Sequence, residues 1–107
     1  MKIFSKNIFL LLLLISLSSK AQVNLDSLWN VWNNTTQADT NRLNAIHKIA
    51  RDGLFSNPDS SFYFAQLHYD FALKVGNKKY MAKALNTQGA SFYFQSNYEK
   101  ALVYYEK

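Results

Sequence analysis

From Leu25 onward the apolar side chains recur at helical spacing, and no stretch alternates with a period of two for long enough to argue a strand. Leu25, Leu28, Trp29 and Trp32 stand at i, i+3, i+4 and i+7, one face of a short first helix. The polar run at 33–38 (NNTTQA) ends it. Asp39 and Thr40 offer side-chain oxygens to cap a second helix, which turns Leu43, Ile46, Ile49 or Ala50, and Leu54 inward. At 57–59 (NPD) the chain restarts, with Asn57 as N-cap and Pro58 at the first helical position, where its missing N–H is no loss. The third helix is expected from Pro58 to Val75, stopped by Gly76 and Asn77. A fourth is expected over 78–95, then a short turn at Ser96 and Asn97, then a fifth beginning at Tyr98. Helices of this length joined by turns of two or three residues predict antiparallel hairpins and an all-α fold.

Composition alters this picture at the N-terminus. Residues 1–21 have the three parts of a secretory signal: Lys2 and Lys6, the apolar run at 8–17 (IFLLLLLISL), and Ser19-Lys20-Ala21 as a cleavage site before Gln22. The apolar run is about half of what spans a ~30 Å hydrocarbon core, so export with cleavage is expected rather than anchoring, which leaves an extracytoplasmic or periplasmic protein. The chain has 12 Lys and Arg against 7 Asp and Glu; three of the lysines fall in the signal, leaving nine cations against seven anions. The remaining basic cluster, Lys78, Lys79 and Lys83, reads as a solvated helix start, not a nucleic-acid surface. Fifteen aromatic residues after the signal make the remainder too apolar for disorder.

The segment at 84–107 (ALNTQGASFYFQSNYEKALVYYEK) resembles the tetratricopeptide repeat, a helix–turn–helix of about 34 residues in which small and large side chains recur at fixed places. Leu85 takes the large position of helix A, Gly89 the small position, and Phe92 the following aromatic. Tyr98 opens helix B, Ala101 is its small position, and Tyr105 is the aromatic one turn later. Two residues depart from the pattern: Gln88 replaces a favoured Leu, and Ser96 replaces the Gly of the turn. Upstream the match is weaker, with Ser61 as the small position of an extended helix B and 42–53 as a degenerate helix A. The resemblance implies a right-handed α-solenoid: signal at 1–21, capping helix and linker at 22–38, a degenerate repeat at 39–77, and a second repeat at 78–107 cut inside its helix B. Further repeats are then expected C-terminal to it.

In such repeats partners lie along the concave face built from successive helices A. Here that implies Lys83, Asn86, Ala90, Tyr93 and Phe94 as groove residues, with Lys83 and Asn86 suited to an acidic group or peptide backbone. The string at 56–89 also looks like the first repeats of exported bacterial signalling proteins. The resemblance therefore implies a non-catalytic protein-interaction or scaffolding module with a protein or peptide partner. The alternative is the regulatory N-terminus of a membrane-bound class III nucleotide cyclase or histidine kinase whose catalytic domain lies downstream.

The residues themselves offer no catalytic constellation. There is no Cys, which excludes disulfide, thiol and Cys-ligated zinc chemistry. His47 and His68 lie 21 residues apart on different expected helices, outside any HExxH spacing, and read as packed or rim histidines rather than ligands. Asp26, Asp39 and Asp59 sit near helix starts, where the macrodipole accounts for them. There is no glycine-rich phosphate loop and no nucleophile–base pair by spacing, so no cofactor, metal or nucleic acid is expected. Trp29 and Trp32 are expected to close the outer end of the helix stack. The recurrence of SFYF at 61–64 and 91–94 reads as coincidence, with different partners for each copy.

Overall fold

The computed structural model describes residues 24–107, and the segment read as a secretory signal lies outside them. Helix accounts for 79% of the described residues and no strand occurs among them. The elements are α1 (Leu25–Asn33), α2 (Asp39–Asp52), α3 (Pro58–Val75), α4 (Lys78–Phe94) and α5 (Tyr98–Tyr105). No helix among them is long and apolar enough to cross a membrane.

Asparagine starts four of the five helices. Asn24, Asn57, Asn77 and Asn97 each accept a hydrogen bond from the backbone N–H three residues on, at 3.1–3.3 Å, satisfying one orphan donor per helix. The exception is α2. Asp39 and Thr40 are already helical, and the cap position is Ala38, which makes no side-chain bond. The capping role expected of Asp39 and Thr40 is therefore corrected, and Asp39 acts in the first turn, where its charge meets the helix dipole.

Two turns share one design. After α3, Gly76 adopts φ +73° and the Asn77 N–H reaches back to the Ala72 carbonyl at 2.9 Å; after α4, Ser96 adopts φ +61° and the Asn97 N–H reaches the Phe92 carbonyl at 2.9 Å. Each left-handed residue ends one helix and hands the chain to the asparagine that caps the next. α4 ends at Phe94, one residue short of expectation, because Gln95 already belongs to this turn.

Each helix packs on its sequence neighbours, and α2 also touches α4. The contacts between these two set their direction. The Tyr80 hydroxyl donates to Asn44 Oδ1 at 2.6 Å near their starts, and Phe55 meets Phe94 with ring centroids 4.5 Å apart near their ends. α2 and α4 thus run parallel, with α3 antiparallel to both. Small residues mark the close approaches: Ala45 and Ala50 on α2, Ala65 and Ala72 on α3, Ala84 on α4 and Ala101 on α5 are all buried. Leu43, Ala72 and Tyr80 form the centre of the apolar core, with Phe71, Val75 and Met81 against it.

α1 closes the α2–α3 end. Trp29 meets Phe64 edge-on at 5.2 Å and Trp32 meets Phe71 at 5.4 Å. Arg42 ties this corner, its Nε donating to the Trp32 carbonyl at 2.9 Å and its guanidinium lying 4.5 Å from the Phe71 ring centroid. The two SFYF copies do not have separate partners, contrary to expectation. Because α3 and α4 are antiparallel, Phe62 lies 5.2 Å from Phe92, and both rings also meet Tyr104.

Candidate functional site

The parallel pair α2 and α4 presents one continuous strip. On α2, Asn44, His47, Lys48 and Arg51 follow helical spacing and are exposed apart from the half-buried His47, and the exposed Phe55 follows in the turn after the helix. On α4, Lys83 and Ala90 are half-buried, and Tyr93 and Phe94 are exposed. Phe94 stands against Phe55, Tyr93 lies 5.5 Å from Phe94, and Tyr98 lies 5.4 Å from Tyr93. Four rings in series, 41–82% exposed, therefore form the C-terminal half of the strip. Asn86 stands aside from them, lining a cleft of about 260 Å³ between α4 and α5 whose walls include Leu85, Tyr104 and Tyr105.

The residues expected to pack the second hairpin divide into two groups. Gly89 and Ala101 are buried; Leu85 and Phe92 are half-buried; Tyr98 and Tyr105 are largely exposed. Gly89 has a specific steric role. A Cβ there would stand 2.6 and 2.7 Å from Cε1 and Cδ1 of Tyr105, so the absence of a side chain seats that ring. Gln88 is buried where the repeat pattern favours Leu. Its Nε2 donates to Gln66 Oε1 at 2.9 Å, and Gln66 Nε2 in turn donates to Asp70, so the departure is satisfied across α3–α4.

Sequence spacing did not reveal the histidine pair. His47 and His68 come together with ring centroids 5.3 Å apart, and His68 also meets the Tyr80 ring at 5.8 Å. His68 is fully buried, and neither of its ring nitrogens has a hydrogen-bond partner; His47 Nδ1 is likewise unpartnered. Burial lowers the pKa of His68 to about 4, with the neighbouring His47 and Lys83 adding to the effect. Burial also lowers His47 to about 4, followed by the charges of Arg51, Lys83 and Lys48. Both imidazoles are thus neutral at neutral pH. The only sequence signal for the pair was the offset between α2 and α3 positions, and two lone histidines give no register to test it.

No group of three or more His, Asp or Glu side chains among the described residues is placed to hold a metal ion. The strip offers cationic hydrogen-bond donors and aromatic faces. Comparison with family models, with curated proteins and with solved structures finds no match for the chain.

Proposed function

We propose that residues 24–107 are a non-catalytic protein-interaction module of the tetratricopeptide type, with the α2–α4 strip as its docking face. The observation that carries this reading is the exposed row Phe55, Phe94, Tyr93 and Tyr98. Solvent-facing aromatic rings in contact are unfavourable in a free surface and are the usual anchors of a protein interface. The hairpin order, the parallel α2 and α4, and the small residues Gly89 and Ala101 at the close approaches support the repeat reading. With the secretory signal read from residues 1–21, the module belongs outside the cytoplasm, as the sensory or scaffolding part of a larger signalling protein.

The test is affinity capture from the parent cell's envelope fraction with paired variants. Tyr93→Ala with Phe94→Ala should abolish retention of a specific partner, whereas Leu73→Ala, an exposed apolar truncation on α3, should leave it intact. Equal retention by both variants would remove the α2–α4 strip as the docking face.

A further inference from the structure

A cavity of about 240 Å³ lies where α1, the last turn of α2 and the first turns of α3 come together, and none of the strip residues lines it. Leu25, Trp29, Ile49 and Phe64 form its apolar wall, with the Trp29 and Phe64 rings edge to face. Two polar groups break that wall. Asp52, the last residue of α2, brings a carboxylate to the end where the helix dipole is itself negative. Ser61 is 1% exposed, and its Oγ has no hydrogen-bond partner, a state that protein interiors rarely leave standing. A Cβ on Gly53 would stand 3.1 Å from that oxygen, so glycine there keeps the approach to it open.

The charge around the cavity has one sign. Asp26 follows Leu25 in the first turn of α1, and Asp59 precedes Ser60 in the first turn of α3. No Lys or Arg among the described residues lines the wall. The amino end of α3 also borders the cavity, but Asn57 caps it by accepting from the Ser60 N–H at 3.3 Å, and Asp59 offsets its dipole.

We propose that this cavity binds a small apolar primary amine, its ammonium donating to Asp52 and Ser61 Oγ and its body lying against Trp29, Ile49 and Phe64. At about 30 Å³ for each water-sized group, the volume holds about eight non-hydrogen atoms, the size of benzylamine. Charge complementarity decides the class. A carboxylate ligand would meet Asp52 with no countercharge, and a wholly apolar one would leave Asp52 and Ser61 out of water and unpaired. The aromatic wall favours a cation further. The site is separate from the strip and gives the interaction module a small-molecule input at its α1 end.

The experiment is an NMR titration of the chain beginning at Gln22 with benzylamine, with benzyl alcohol as the uncharged counterpart and benzoate as the anionic one. Benzylamine should bind with a Kd below about 1 mM, at least about tenfold more tightly than benzyl alcohol, and benzoate should not bind. The Trp29 indole N–H resonance should move, and that of Trp32, packed on Phe71, should move less. Asp52→Asn should erase the preference for the amine. Gly53→Ala, at a φ of −93° that alanine adopts freely, should weaken both ligands by narrowing the approach to Ser61. Asp70→Asn, exposed on α3 and outside the cavity, should change neither, and a circular-dichroism melt of each variant checks that it folds. Equal affinity for benzylamine and benzyl alcohol, a preference that survives Asp52→Asn, or binding of neither compound would overturn the amine site.

Discussion

Ser96 is a residue in a glycine's conformation. Its φ of +61° repeats that of Gly76 at the equivalent turn, and a non-glycine residue in that region carries a cost of roughly 1 kcal/mol. Ser96→Gly should therefore raise stability by about 0.5–1 kcal/mol in urea denaturation, because the new residue takes the left-handed conformation without strain. Gly89 makes the opposite case. Gly89→Leu should destabilise by about 1–3 kcal/mol through overpacking against the Tyr105 ring, and Tyr105→Ala in the same chain should recover much of the loss. Independent, additive effects of the two changes would contradict the contact. His68 is the third special position. Its folded pKa of about 4 lies below the ordinary 6.5, so the unfolded chain binds more protons between those values and stability falls as the pH drops from 6.5 towards 4. At about 1.4 kcal/mol per pKa unit, the shift is worth ~3 kcal/mol above pH 6.5 for this residue. His68→Leu should flatten that acid slope and, by removing two buried unpartnered nitrogens, leave the protein at least as stable at pH 7. A melting temperature followed from pH 7.5 to 4.5 in both chains checks it.

At the scale of the helices, local chemistry made much of the fold legible. Pro58 after Asn57, and Gly76 before Asn77, bracket α3 at Pro58–Val75, because a fixed φ, a side-chain acceptor and a left-handed residue are local signals that need no tertiary partner. What escaped depended on the offset between helices. The Phe62–Phe92 pair and the His47–His68 pair arise from the way antiparallel elements slide into register, and apolar periodicity is silent on that slide. The repeat resemblance singled out Lys83, Asn86, Ala90, Tyr93 and Phe94 on α4 as groove residues, and the structure sets Asn86 apart from the other four; Lys48 and Arg51 on α2, and Phe55 in the turn after it, were not singled out because that segment lacks a clear repeat pattern. The ends of the stack test how α1 works. Arg42 joins α2 to the α1 backbone and covers two rings, so Arg42→Ala should free α1 from the rest. Native-state hydrogen exchange should show faster exchange of α1 amides in that variant, with α4 unchanged. Uniform acceleration throughout would mean that α1 is integral to the core rather than a closing element.

At the scale of the whole molecule, each described helix meets its described neighbours in sequence, and among these helices only α2 and α4 add a contact one hairpin removed. Such an arrangement leaves one face of the parallel helices free along its length, and in this chain that face holds cations followed by rings. The exposed flank of α5, with Leu102, Val103 and Tyr105 all about half exposed, is a second apolar surface, distinct from the strip in lying beyond α4. The assignment of the strip as the docking face can be tested by position-specific photo-cross-linking in living cells. A benzophenone amino acid placed at Ala90, in the middle of the strip, should yield a discrete cross-linked species that disappears with Tyr93→Ala and Phe94→Ala. The same group at Asp70, exposed on α3, should yield none. Cross-linking at Asp70 with silence at Ala90 would contradict the account, because the partner would then dock on the face opposite the one assigned to it.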